Sequence, residues 1–163
     1  MLFNHNNERL FSIGKPLIFR YNALMHIIFD YNRTIYDPEK LELYEGVYEL
    51  LNKLSQEHKL YLVSKNEPGR GNIITELGIA DFFNQIIFVD NKTATDFQKL
   101  VGAETNVIVV GDRVKGEIKI GKMLGYKTVW VRQGKFKDEL PENENEEPDT
   151  IIDNIVKLLS VLP

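Results

Sequence analysis

The chain contains no cysteine among its 163 residues. This absence excludes disulfide bonds, thiolate metal sites and a cysteine nucleophile. No stretch approaches the ~18 consecutive apolar residues of a membrane span. Residues 1–19 also lack the basic start and the unbroken apolar core of a secretory signal. A cytoplasmic protein without a membrane partner is therefore the default expectation.

The chain also lacks an excess of basic residues, since its formal net charge is −4. A general nucleic-acid-binding protein normally has a basic surplus, so nucleic acid is not expected as a general partner. The hydrophobic share of 43% and the charged share of 27% are ordinary for a soluble domain, and the length suggests one domain. We assign residues 26–163 to that domain. Residues 1–25 have no clean periodicity and are interpreted as an accessory segment of unknown role.

Short apolar runs alternate with helical patterns over most of the chain. The runs are 26–30, 59–64, 86–89, 106–110 and 127–131. Helical spacing or composition predicts helices around 47–54, 73–77, 94–101, 115–124 and 152–159, and residues 142–149 are interpreted as a solvated acidic loop. This order predicts an α/β fold, a Rossmann-like three-layer sandwich with a central parallel sheet of about five strands.

Polar side chains follow four of the predicted strands. Asp30, Ser64 and Asp112 come at or just after strand ends, and Lys92 lies just past the third run. Ligands of such sheets bind outside the carboxyl ends of the strands. Two carboxylates, a hydroxyl and an ammonium at one edge suit a phosphoryl group and a divalent cation.

The same residues, in the same order, resemble the four motifs of the haloacid dehalogenase-like (HAD) superfamily. The matching segments are 30–34 (DYNRT), 62–64 (LVS), 91–93 (NKT) and 111–117 (GDRVKGE). The resemblance implies a phosphohydrolase in which Asp30 attacks phosphorus and forms an aspartyl-phosphate. It also implies that Ser64 and Lys92 hold phosphoryl oxygens, and that Thr34 supports the first loop.

The resemblance further implies a Mg²⁺ cofactor held by Asp30, the backbone carbonyl of Asn32, and Asp112. Glu117 stands where the family usually has Asp, so it either ligates the metal, binds it through water, or caps a helix. Lys99 competes with Lys92, but it falls inside a helical pattern. Four further polar residues are candidates for the mouth of the site or for ordinary surface charge: Arg33, Lys65, Asn66 and Arg70.

Asn32 is the main departure from the family pattern, because the family's general acid–base is an Asp at this position. An amide cannot relay protons, and such help is worth roughly 10²–10⁴-fold. Three interpretations follow. The protein is a slow phosphatase for substrates with good leaving groups, it forms a slowly hydrolysed aspartyl-phosphate, or it is an impaired module that binds a ligand or partner. Dehalogenation ranks well below these.

The gaps between the motifs leave no room for a cap domain. Residues 34–64 fit one helix with its turns, and residues 64–92 fit one helix and one strand. The expected site is therefore open to solvent. Capless relatives act on large substrates or form homo-oligomers that close the site, and the sequence does not choose between these. The phosphorylated substrate also stays unidentified at this stage.

Overall fold

The computed structural model describes residues 23–163, so residues 1–22 of the expected accessory segment lie outside it. The strands are β1 (His26–Asp30), β2 (Tyr36–Asp37), β3 (Glu42–Leu43), β4 (Lys59–Lys65), β5 (Gln85–Val89), β6 (Val107–Gly111), β7 (Lys127–Val131) and β8 (Thr150–Ile152). The α-helices are α1 (Val47–Glu57), α2 (Arg70–Glu76), α3 (Ala94–Val101), α4 (Lys119–Met123) and α5 (Leu158–Val161). Short 3₁₀ turns cover Ala80–Phe82, Gly134–Phe136, Glu144–Glu146 and Ile155–Lys157, and a π-helical turn covers Val114–Ile118.

A six-stranded parallel sheet in the order β5-β4-β1-β6-β7-β8 forms the centre of the fold. Every residue of β1 and of β6 is buried, as expected for inner strands covered on both faces. Alternate residues of β1 point to opposite faces. Ile27 and Phe29 pack in the same core as α1, α2 and α5, whereas Ile28 packs in the core of α3 and α4. The predicted three-layer sandwich is confirmed.

The sheet has one strand more than the five that the sequence predicted. Residues 150–152, expected to begin the last helix, pair in parallel with β7. The segment that follows is a 3₁₀ turn and one short helix, in which Ile155 and Leu158 are buried and Val156 and Leu159 are exposed. The apolar spacing of this segment reflects a strand and a short helix, each with one buried face.

The acidic segment before β8 is not simply a solvated loop, as its composition suggested. Three of its carboxylates pair with lysines of the α4 region: Lys115 with Glu142, Lys119 with Glu146 and Lys122 with Asp149. Asp149 also accepts hydrogen bonds from the N–H and the hydroxyl of Thr128 on β7, each at 2.8 Å. The segment therefore lies along α4 and is fixed to the edge of the sheet.

No cap domain is inserted between the strands of residues 23–163. The connection from β1 to α1 contains only the β2–β3 pair, a two-stranded hairpin that the sequence did not predict. None of the helices in this range is long and apolar enough to cross a membrane. The carboxyl ends of β1, β4, β5 and β6 consequently open onto one side of the molecule without a covering domain.

Candidate active site

The carboxylate of Asp30 lies at the end of β1, the central strand, and is almost entirely buried. The hydroxyl of Thr34 donates to Asp30 Oδ2 at 2.9 Å, and the Lys92 ammonium donates to Oδ1. Burial raises the pKa of Asp30, whereas the positive charge of Lys92 opposes the rise. These contacts fix the orientation of the carboxylate toward the cleft above the sheet.

Lys92 joins Asp30 to a second buried carboxylate, that of Glu117. Lys92 Nζ donates to Glu117 Oε1 at 2.5 Å. Burial lowers the pKa of Lys92, but the charges of Asp30 and Glu117 outweigh it and raise the pKa above its usual value. Lys92 is therefore a cation at neutral pH. Lys99, the competing lysine, is an exposed residue of α3.

Glu117 reaches the site because the backbone around it is irregular and closely packed. It belongs to a π-helical turn in which Gly116 has non-helical angles, φ −112° and ψ −107°. A Cβ atom on Gly111 would lie 2.7 Å from Glu117 Cβ, so the end of β6 must be glycine for this approach. Such π-helical irregularities are frequent at functional sites.

Asp112 completes a set of three buried carboxylates with Asp30 and Glu117. One oxygen of each lies within 4.8 Å of the others. The indole N–H of Trp130 donates to the Asp112 backbone carbonyl at 2.9 Å and fixes this loop. Burial raises the pKa of Asp112 to about 8, with the negative charges of Asp30 and Glu117 adding to the rise.

This set of carboxylates fits a divalent cation. Asp112 Oδ2 and Glu117 Oε2 are buried and accept no hydrogen bond from residues 23–163. Buried carboxyl oxygens normally have partners, and the raised pKa values of Asp30 and Asp112 indicate that one lysine does not balance three buried carboxyl groups. An all-oxygen set of this kind is the chemistry that Mg²⁺ prefers.

The side chain of Asn32, the departure from the family pattern, is hydrogen-bonded to a buried arginine, Arg70. Its Oδ1 accepts from an N–H of Arg70 at 3.3 Å. The Arg70 guanidinium is buried, stacks 4.5 Å from the ring centre of Tyr31, and pairs with Glu67. A cation therefore lies next to the position at which the family has its acid–base carboxylate.

An open cleft of about 920 Å³ lies above these groups. Seven cations and five carboxylates line it: Arg33, Lys65, Arg70, Lys92, Arg113, Lys115 and Lys119, with Asp30, Glu67, Asp90, Asp112 and Glu117. The wall thus carries a surplus of positive charge although the whole chain is negative. This distribution favours anionic ligands.

The structure brings together most, but not all, of the residues singled out from the sequence. Asp30, Asn32, Arg33, Lys65, Lys92, Asp112 and Glu117 all line the cleft. Ser64 and Thr34 are fully buried and do not contribute to its wall, and the Ser64 hydroxyl donates to the Lys65 carbonyl at 3.3 Å. Asn66 also lies outside the wall, where its side chain donates to Asp90.

Several residues of the wall were not singled out from the sequence, and Arg113 and Phe136 are two of them. Arg113 directly follows Asp112, and Phe136 lies in the 3₁₀ turn after β7. The place of Arg113 beside a motif carboxylate was a usable signal, because neighbours of a strand-end residue lie at the same sheet edge. Phe136 gave no signal, because its segment has no periodicity.

Comparisons with known proteins agree with this geometry. A family model described as HAD-hydrolase-like matches residues 91–158. The HAD-hydrolase YfnB from Bacillus subtilis, solved bound to magnesium, has a similar fold with a TM-score of 0.70. It is 14% identical, and the match covers 85% of this chain and 98% of that one.

Two curated relatives are both named glyceraldehyde 3-phosphate phosphatase. The protein from Pyrococcus furiosus is 25% identical over 197 aligned positions, which cover 95% of this chain and 82% of the relative. Because the alignment is longer than the 163 residues of this chain, the relative has segments without a counterpart here. The protein from Methanopyrus kandleri is 29% identical over 98 residues, 55% of this chain and 42% of its own length.

Proposed function

Because the chain belongs to the haloacid dehalogenase-like (HAD) superfamily, we propose that it is a Mg²⁺-dependent phosphohydrolase that acts through an aspartyl-phosphate on Asp30. The observation that carries the proposal is the buried cluster of Asp30, Asp112 and Glu117 around Lys92, at the floor of a cationic cleft. The names of the two curated relatives and the magnesium-bound neighbour agree with it.

In the proposed reaction, an oxygen of Asp30 forms a bond to phosphorus while the bond from phosphorus to the leaving oxygen breaks. Lys92 holds a phosphoryl oxygen and stabilises charge as it develops. The contacts of its ammonium with Asp30 and Glu117 support this role, because the phosphoryl group would meet the nucleophile beside Asp30. A water molecule then attacks phosphorus, releases inorganic phosphate and restores the Asp30 carboxylate.

A Mg²⁺ ion would be held by Asp30, Asp112 and Glu117, with the backbone carbonyl of Asn32 as a further ligand. When bound, it supplies positive charge that offsets the repulsion between an anionic nucleophile and an anionic substrate. The unpartnered oxygens of Asp112 and Glu117 are the donors that this role requires. The sequence prediction that Ser64 holds a phosphoryl oxygen stays a prediction.

The side chains of Asn32 and Arg70 determine whether the leaving oxygen receives a proton from the protein. Neither side chain can serve as a general acid at neutral pH, so the leaving oxygen leaves without a protein proton donor. Arg70 instead places a positive charge beside Asn32. We therefore expect fast turnover only for substrates with good leaving groups, and slow hydrolysis of the aspartyl-phosphate because no carboxylate activates the water.

The alternative is a HAD-like binding module without turnover. The observation that favours it is the hydrogen bond between Arg70 and Asn32, which occupies the position of the missing acid–base group. The set of Asp30, Lys92, Asp112 and Glu117 favours the enzyme.

The direct test is hydrolysis of para-nitrophenyl phosphate with and without Mg²⁺. Its good leaving group needs little acid help, so Asn32 should not mask the activity. We expect turnover that requires Mg²⁺ and is lost in Asp30→Asn. Equal rates in the wild type and in Asp30→Asn would refute the phosphohydrolase and favour the binding module.

A matched pair of lysine variants tests the assignment of Lys92. Lys92→Gln removes the ammonium that contacts Asp30, and we expect kcat to fall by about 10²–10³-fold. Lys99→Gln changes an exposed lysine of α3 and should leave kcat within about twofold. A large loss of kcat in the Lys99 variant, with Lys92→Gln unaffected, would reverse the assignment.

A further inference from the structure

Three cations converge on one aromatic ring at the rim of the cleft. The guanidinium carbon of Arg113 lies 4.3 Å from the ring centre of Phe136, that of Arg33 lies 5.6 Å away, and Lys135 Nζ lies 5.6 Å away. The two guanidinium groups are therefore less than about 10 Å apart. Arg33 lies three residues after Asp30, and Arg113 directly follows Asp112, so both stand next to the proposed reaction centre.

Both arginines have N–H donors without a hydrogen-bond acceptor among residues 23–163. Each guanidinium has five N–H donors, but each makes a single side-chain hydrogen bond in residues 23–163, Arg33 to Glu39 and Arg113 to Glu139. The Nε atoms of both are buried and have no acceptor in the same range. A guanidinium near an aromatic ring keeps its in-plane N–H groups available for a carboxylate or a phosphate.

The backbone holds Arg33 in a conformation that a non-glycine residue rarely adopts. Its φ of 62° lies in the left-handed region, which costs free energy for a residue with a side chain. Gln133 Nε2 donates to the Arg33 carbonyl at 2.8 Å. A Cβ atom on Gly134 would lie 3.4 Å from the Arg33 side chain, so the chain after β7 packs closely against it. The position of Arg33 is thus set by its surroundings.

The local charge is positive as well. Within the described residues, Glu39 and Glu139 pair with the two arginines, while Lys135 adds a third cation near the same ring. The Glu39 side chain is 59% exposed, so its ion pair with Arg33 contributes little and can be exchanged for a ligand.

We propose that Arg33, Arg113 and Phe136 form a subsite for a second anionic group of the substrate, called here the anion subsite. The inference rests on the proposed function, since it requires the phosphoryl group of the same molecule to lie at Asp30. The substrate class is a phosphate monoester that also carries a carboxylate or a second phosphate. Glyceraldehyde 3-phosphate, after which the two relatives are named, has only one anionic group.

The test compares ligands that differ only in the second charge. The hydrolysable pair is 4-carboxyphenyl phosphate and 4-carbamoylphenyl phosphate, and the non-hydrolysable pair is 4-carboxybenzylphosphonate and 4-carbamoylbenzylphosphonate. Dissociation constants of the phosphonates are measured by calorimetry with Mg²⁺ present, and kcat/KM is measured for the phosphates. The variants are Arg33→Gln and Arg113→Gln, each checked for an unchanged melting temperature.

We expect the wild type to bind the carboxylate phosphonate roughly tenfold more tightly than the amide, since charge-assisted hydrogen bonds to arginine are stronger than neutral ones. This ratio should fall toward one in both variants. The matched control is Arg132→Gln, which removes an arginine that lies over Trp130 outside the cleft wall and should keep the ratio. If one arginine variant fails to fold, the affinity ratio of the other variant, compared with that of the wild type, still tests the anion subsite.

The test distinguishes failure of the anion subsite from failure of the proposed phosphohydrolase activity. Equal wild-type affinity for the two phosphonates, or no binding of either, would overturn the anion subsite even if 4-carbamoylphenyl phosphate is hydrolysed. Preferential binding of the carboxylate without turnover of any phosphate would support the subsite and refute the phosphohydrolase. A charge preference that persists in both arginine variants would overturn the assignment to Arg33 and Arg113.

Discussion

At the scale of single residues, the pair of Asn32 and Arg70 decides what the site can do. The two side chains are hydrogen-bonded, and Arg70 is held between the Tyr31 ring and Glu67. A simple exchange of Asn32 for the usual Asp would therefore create an ion pair with Arg70. Such a partner lowers the pKa of a carboxyl and leaves little of the protonated form that a general acid requires.

We predict that Asn32→Asp alone gives only a small gain, whereas Asn32→Asp combined with Arg70→Gln gives a larger one. The measurement is kcat/KM for phenyl phosphate, whose leaving group is poor, divided by kcat/KM for para-nitrophenyl phosphate. We expect the ratio to rise less than about tenfold in the single variant and toward 10²-fold in the double variant. A single variant with the same ratio as the double variant would show that Arg70 does not limit general acid catalysis from a carboxyl at position 32.

The residues of the site were predictable to different extents. Asp30 ends the buried strand β1, Asp112 follows the buried strand β6, and Lys92 lies just past the edge strand β5. Because these parallel strands end at one edge of the sheet, the meeting of the three residues follows from topology. The contact of Arg70 with Asn32 joins residues 38 positions apart and has no signature in the sequence. The complete burial of Ser64, which was predicted to hold a phosphoryl oxygen, likewise has no signature in the sequence.

At the scale of elements, the acidic segment acts as a support for α4 and the π-helical turn. Glu146 is its buried member, and its carboxylate accepts from the Glu142 N–H at 3.0 Å and pairs with Lys119 at 2.9 Å. The Glu142 N–H and then Lys119 lower the pKa of Glu146 to about 2, against the effect of burial. A carboxyl whose pKa is lowered by folding stabilises the folded state above its ordinary pKa.

We predict that Glu146→Gln lowers the free energy of unfolding at pH 7 and that the difference from the wild type shrinks as the pH falls from about 4.5 to about 2. The measurement is urea denaturation at several pH values. Asp153→Asn is the control, because the Asp153–Lys157 pair is exposed and should matter much less. A difference that stays constant over this pH range would contradict the role of the Glu146 charge.

Elements with continuous or periodic apolar patterns were correctly predicted. These are the strands β1, β4, β5, β6 and β7 and the helices α1, α2 and α3. The errors fall where a segment is too short for its period to be distinctive. β8 has three residues, and α4 is preceded by an irregular π-helical turn rather than forming one helix over 115–124. The Lys115, Lys119 and Lys122 pairs with the acidic segment depend on tertiary contacts that composition does not reveal.

At the scale of the whole molecule, the parallel sheet gathers charges from separate loops at one open edge. Cations at or after the ends of four strands, β1, β4, β5 and β6, line a cleft in a chain whose formal net charge is −4. Net charge alone excluded a general nucleic-acid partner but could not indicate this local surplus. The predictions of a homo-oligomer and of a cytoplasmic location stay predictions, as does the accessory role of residues 1–25.

The measurement that tests the central claim most directly is the mass of the intact protein, acid-quenched after mixing with acetyl phosphate and Mg²⁺. Acetyl phosphate has a good leaving group, and Asn32 leaves the attacking water unactivated, so the intermediate should accumulate. We predict an adduct of about 80 Da that maps to Asp30 and is absent from Asp30→Asn. An adduct of the same mass in Asp30→Asn, or turnover in the wild type without any adduct on Asp30, would contradict the account.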